Sequence, residues 1–79
     1  MRVEVKVFAS LRRYLPGISL GEGKEVELPA SSSGRDLLAL LGIPEGEAAI
    51  FLVNGRRADL AVPLREGDRV SIFPPLGGG

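Results

Sequence analysis

Few residues in this chain can do chemistry, and their types narrow the options at once. The 79 residues include no Cys and no His, so there is no thiolate nucleophile, no disulfide and no imidazole base. Ser–His and Cys–His nucleophilic catalysis are excluded, and a zinc site would need carboxylates alone, an uncommon donor set for that ion. Glu22, Glu25 and Glu27 are nearly consecutive carboxylates. The alternation of residues 24–28 sets the last two on an exposed strand face, which suits neither a general acid nor a metal site. That leaves the end of the sequence. Pro74-Pro75 pre-extends the backbone and cannot donate to a ladder, Leu76 follows as an apolar side chain, and Gly77-Gly78-Gly79 ends in a carboxylate. Glycine permits close backbone approach, so such a thread fits a narrow channel on another protein. A carboxylate is a poor electrophile, but the acyl-adenylate that another protein makes from it with ATP is a good one. Displacement of AMP by sulfide or a persulfide leaves a thiocarboxylate, and displacement by a lysine amine leaves an isopeptide bond. The reactive group is then the main-chain carboxylate of Gly79, and no side chain takes part.

The elements that must hold this thread are short. Val3, Val5 and Val7 alternate with Arg2, Glu4 and Lys6, the period of a half-buried strand. Residues 9–15 suit a turn or two of helix stopped by Pro16-Gly17, and Gly21-Glu22-Gly23 reads as a loop into a second strand over 24–28. Ser33 and Asp36 have capping-box spacing ahead of Leu37-Leu38-Ala39-Leu40-Leu41, with Gly42 as a left-handed stop and Pro44 beyond it. Residues 49–53 form a continuous apolar run, expected to be a strand covered on both faces or near the sheet centre. Asn54-Gly55 then predicts a type I′ hairpin. Residues 65–68 form a tight turn into a last strand over 69–73. The order β-β-α-β-β predicts an α+β fold, a ubiquitin-like β-grasp with one helix across one face of a mixed sheet of four or five strands. The predicted domain is residues 1–74, with 75–79 as an extended tail.

Phe8 and Phe73 both fall on the polar faces of their strands. The first and last strands of this fold are neighbours, so the two rings, with Pro74 and Pro75, predict an apolar patch beside the tail that serves as partner surface; the competing expectation is that residues 11–15 or Pro74 cover them. Arg12-Arg13 and Arg56-Arg57 read as solvated pairs or as contacts to acidic groups on an adenylating enzyme. Lys6 and Lys24 are the only lysines, so the chain offers few acceptors for chain-building. Ten basic residues balance ten acidic ones, leaving no field to hold nucleic acid. No apolar run approaches the ~20 residues that span a bilayer, and the start carries no secretory h-region, so a cytoplasmic protein free of membrane is expected.

The last sixteen residues, Leu64-Arg65-Glu66-Gly67-Asp68-Arg69-Val70-Ser71-Ile72-Phe73-Pro74-Pro75-Leu76-Gly77-Gly78-Gly79, resemble the C-terminal signature of the MoaD/ThiS sulfur-carrier proteins. The segment Val5-Lys6-Val7-Phe8-Ala9-Ser10-Leu11-Arg12-Arg13 is similar to the molybdopterin-synthase branch of that family, and Val53-Asn54-Gly55 sits where the family has a comparable turn. The resemblance implies a sulfur carrier, not itself a catalyst. Gly79 would be adenylated and then carry the thiocarboxylate, while Gly78, Gly77 and Leu76 thread into the partner. It implies an E1-like adenylating enzyme and the molybdopterin-synthase large subunit as partners. No cofactor would be bound, ATP and a sulfur donor being used by the partner system. A protein modifier joined to lysines, a carrier for thiamine, cysteine or tRNA thiolation, and a plain interaction domain are the alternatives.

Overall fold

The computed structural model describes residues 1–17, 19 and 21–75. Strand β1 (Arg2–Val7) leads into a 3-10 segment (Ala9–Tyr14), and β2 (Lys24–Glu27) precedes helix α1 (Gly34–Leu41). A 3-10 turn (Glu45–Glu47) then connects to β3 (Ile50–Val53), β4 (Arg56–Arg57) and β5 (Arg69–Phe73). The sheet order is β2-β1-β5-β3-β4, with β1 and β5 parallel and every other pair antiparallel. This is the α+β β-grasp expected from the sequence, with five strands and one main helix.

The valine alternation of β1 does what its period requires: Val3, Val5 and Val7 are buried, and Arg2, Glu4 and Lys6 lie on the opposite face. Val70 and Ile72 of β5 and Phe51 of β3 join them beneath Leu37 and Leu38 of α1. Each of those fully buried leucines contributes about 1.5–3 kcal/mol by leaving water. The helix starts where the capping box sets it. Ser33 Oγ accepts from the Asp36 amide at 3.3 Å, and Asp36 Oδ2 accepts from the Ser33 amide at 2.8 Å. It stops at Gly42 (φ 77°), where the Ile43 amide donates back to the Leu38 carbonyl at 2.9 Å.

Helix and sheet meet closely at Gly34. A β-carbon there would lie 2.7 Å from Cζ of Phe51, so the absent side chain is what lets α1 sit on β3. Of the two expectations for residues 49–53, coverage on both faces needs correction, while an inner place in the sheet holds. Strand β3 lies one place in from the β4 edge; Phe51 is buried, but Ile50 and Leu52 are half-buried on the face away from the helix. Their apolar character belongs to a second surface, outside the core.

Candidate functional site

That second surface is the sheet face opposite α1, and strand register builds it row by row. Because β1 and β5 are parallel neighbours, both end at the same edge of the molecule, the edge from which Pro74 and Pro75 lead away. Phe8 keeps extended geometry (φ −124°, ψ 154°) one residue past β1, and its amide donates to the Ile72 carbonyl at 3.1 Å. Ala9 then takes a positive φ of 54°, which turns the chain out of the sheet.

This geometry brings the two predicted aromatic rings together. Phe8 and Phe73 stack with centroids 4.2 Å apart and planes 8° from parallel. Both are half-buried, and neither belongs to the buried core or to the side chains packed on it. Ile50 stands across from Phe73, so the apolar patch continues onto β3. Pro74 is half-buried and Pro75 exposed. Leu76, Gly77, Gly78 and Gly79, the predicted reactive thread, lie outside the described residues.

The next row runs Lys6, Ser71, Leu52, Arg57 across β1, β5, β3 and β4. Beyond it Glu25, Glu4 and Arg69 are aligned on β2, β1 and β5. A shallow depression of about 350 Å³ lies here, lined by Glu4, Lys6, Asn54, Gly55, Arg69 and Ser71. Its hairpin wall is fixed by Asn54. The Asn54 side-chain oxygen accepts from the Arg69 amide at 2.9 Å, and its amide group donates to Asp68 Oδ1 at 3.0 Å. Asn54 (φ 53°) and Gly55 (φ 83°) form the left-handed pair predicted for the type I′ turn.

The two basic pairs part company in the fold. Arg13 donates to Glu47 at 2.6 Å and to the Tyr14 hydroxyl at 3.1 Å, tying one 3-10 segment to the other. The Tyr14 hydrogen bond, with Tyr14 and Glu47 charge, pushes the guanidinium pKa up from its ordinary value. Arg56 and Arg57 instead form β4, at the margin of the open face. Glu25 and Glu27 are exposed, and Arg2 lies 3.8 and 3.5 Å from them. Among the described residues no group of acidic side chains could hold a metal ion, and no helix is long and apolar enough to cross a membrane.

Lys6, Ile50 and Leu52 belong to this face but were not singled out for it from sequence, whereas Arg57 was expected there only as one of a pair that is solvated or meets acidic groups on an adenylating enzyme. The Asn-Gly turn carried the signal, because it fixes the register that sets Arg57 opposite Leu52.

The model of the ThiS family matches residues 5–79. Protein RnfH of Serratia proteamaculans is 40% identical over 76 residues, which cover 96% of this chain and 79% of that protein. A putative molybdopterin converting factor subunit 1 from Pyrococcus furiosus superposes with a TM-score of 0.74 at 30% identity, covering 95% of this chain and 98% of the other. The modifier SAMP1 of Haloferax volcanii gives a TM-score of 0.69 at 26% identity over the whole of both chains. A complex of subunits 1 and 2 of the molybdopterin-converting factor of Helicobacter pylori 26695 gives 0.61 at 27% identity, again over the whole of both chains.

Proposed function

The chain belongs to the ThiS family, and on that premise we propose that it is a sulfur carrier working through the carboxylate of Gly79, as the small subunit of molybdopterin synthase. A partner adenylates Gly79 with ATP, releasing pyrophosphate. Hydrosulfide attacks the acyl carbon, the bond to the AMP phosphate oxygen breaks, and Gly79 is left as a thiocarboxylate for delivery to a cofactor precursor. The chain binds no cofactor in this scheme, and ATP and the sulfur donor are handled by the adenylating system in the cytoplasm. Its own contribution is presentation: the catalytic groups belong to the partners, and the chain supplies a rigid body, a docking face and a slim terminus.

The observation that carries this reading is the Phe8–Phe73 pair, stacked on an uncovered sheet face one residue before Pro74. A partner that grips this pair has Gly79 within reach, since the six residues that follow Phe73 span at most ~20 Å when extended. Likeness to a molybdopterin converting factor subunit 1, alone and in complex with subunit 2, supports the molybdopterin branch and a large-subunit partner. Likeness to SAMP1 favours a second reading, in which lysines of other proteins capture the activated Gly79 as an isopeptide.

Intact-mass spectrometry after incubation with ATP, sulfide and the cognate adenylating enzyme tests the proposal. The expected result is the mass gain of one oxygen replaced by sulfur, absent when Gly79 is deleted. No gain, with the enzyme active on another carrier, overturns it. Reductant-resistant conjugates of higher mass in cell extracts would then favour the modifier reading.

A further inference from the structure

We infer that the open sheet face selects and orients the adenylating enzyme by charge, through a cationic border of Lys6 on β1, Arg69 on β5 and Arg57 on β4 in the rows next to the Phe8–Phe73 patch. The inference rests on the carrier reading and names the surface chemistry its first partner must present: an apolar centre with carboxylates facing Lys6, Arg69 and Arg57.

Register puts the three cations on one face. Lys6 and Leu52 both stand across from Ser71, Arg57 stands across from Leu52, and Arg69 stands across from Glu4 in the next row. They surround the half-buried Leu52 and the depression beside it, in which Glu4 is the one carboxylate among the lining residues. Three arginines elsewhere in the chain are neutralised internally, while Arg56 and Arg65 have no such ion pair among the described residues. Arg13 pairs with Glu47 at 2.6 Å, Arg35 with Glu45 at 2.8 Å, and Arg2 lies against Glu25 and Glu27. Among the described residues Lys6, Arg57 and Arg69 have no such ion pair, although the chain carries as many acidic as basic groups.

The acids of this face lie toward the other edge, where β2 carries Glu25 across from Glu4 and Glu27 across from Arg2. The face is therefore electrostatically polar from β2 to β4, and a partner with a complementary gradient can seat in only one orientation. That orientation directs the chain end after β5 the same way at every encounter. Exposed charges around an apolar patch act mainly on encounter rate and on rejection of wrong partners. Activation comes before every fate of the carboxylate, so the adenylating enzyme is the occupant this border has to meet.

The test is ATP–pyrophosphate exchange by the cognate adenylating enzyme with the chain as varied substrate. Arg57→Glu is expected to raise KM on the order of tenfold at low salt with kcat little changed, while Arg57→Lys stays close to wild type. Arg65→Glu makes the same charge change in the turn before β5, outside the paired rows of this face, and is expected to act like wild type. Raising salt from about 50 to about 300 mM should raise the wild-type KM and shrink the Arg57→Glu effect. Equal KM for Arg57→Glu and Arg65→Glu, or a salt-independent KM, overturns the inference while leaving the carrier reading intact. Salt-dependent self-association with no KM effect assigns the border to a second copy and overturns it as well. No exchange with the wild-type chain, by an enzyme active on another carrier, overturns the carrier reading and this inference together.

Discussion

Phe73 stacks on Phe8 at 4.2 Å, while Ile72, its immediate neighbour on β5, is fully buried beneath the helix. Two consecutive residues thus serve two surfaces, one holding the fold and one facing outward. Phe73→Ala should lower stability by about 0.5–1.5 kcal/mol through loss of the ring pair, against about 2–5 kcal/mol for Ile72→Ala. Only Phe73→Ala should weaken partner engagement out of proportion to its stability loss. Urea unfolding together with the exchange-assay KM separates the two; equal proportions would mean that Phe73 is structural.

The carrier reading makes a sharp prediction at the terminus. Adding one alanine after Gly79 should abolish thiocarboxylate formation and leave the melting temperature unchanged, because the last core side chain among the described residues is Ile72. Intact mass and a thermal melt on the same sample check both halves.

Gly34→Ala should destabilise the domain although alanine is the better helix former. The new β-carbon would meet Phe51 at 2.7 Å and a methyl of Leu60 at 3.3 Å. Overpacking of this kind costs about 1–3 kcal/mol, more than the helix-propensity gain of up to about 1 kcal/mol. Chemical denaturation measures it, and Gly34→Ala combined with Phe51→Leu should recover part of the loss by clearing the ring.

Asn54 joins hairpin and turn to the start of β5. Asn54→Ala removes both side-chain hydrogen bonds and puts a β-branch-free but unsuited residue at φ 53°; the expected loss is about 1–3 kcal/mol. Asn54→Gly keeps the backbone conformation and should lose less. Hydrogen exchange at the Arg69 amide, which donates to the Asn54 side chain, should speed up in both variants.

Local signals were legible wherever a few adjacent residues decide the outcome. The β1 valines, the Ser33–Asp36 box, the Gly42 stop and the Asn54-Gly55 turn all stand in the structure as their spacing predicts, because each depends on backbone geometry within a turn or a strand. The Phe8–Phe73 patch was also legible, since each ring breaks the alternation of its own strand and the fold makes those strands neighbours. The Arg13–Glu47 and Asn54–Asp68 contacts were not, because they join residues 34 and 14 positions apart and depend on how loops meet.

By itself the sequence determined the fold class, the main helix and the longer strands, and the absence of catalytic side chains of the thiol or imidazole type. Those follow from composition and from periods of two and 3.6 residues. Only the tertiary structure decided which of two similar arginine pairs ties loops together and which borders the open face, and that Ile50 and Leu52 extend the aromatic patch outside the core. Strand order and register make those assignments, and they arise from burial summed over the whole chain, which no local pattern encodes.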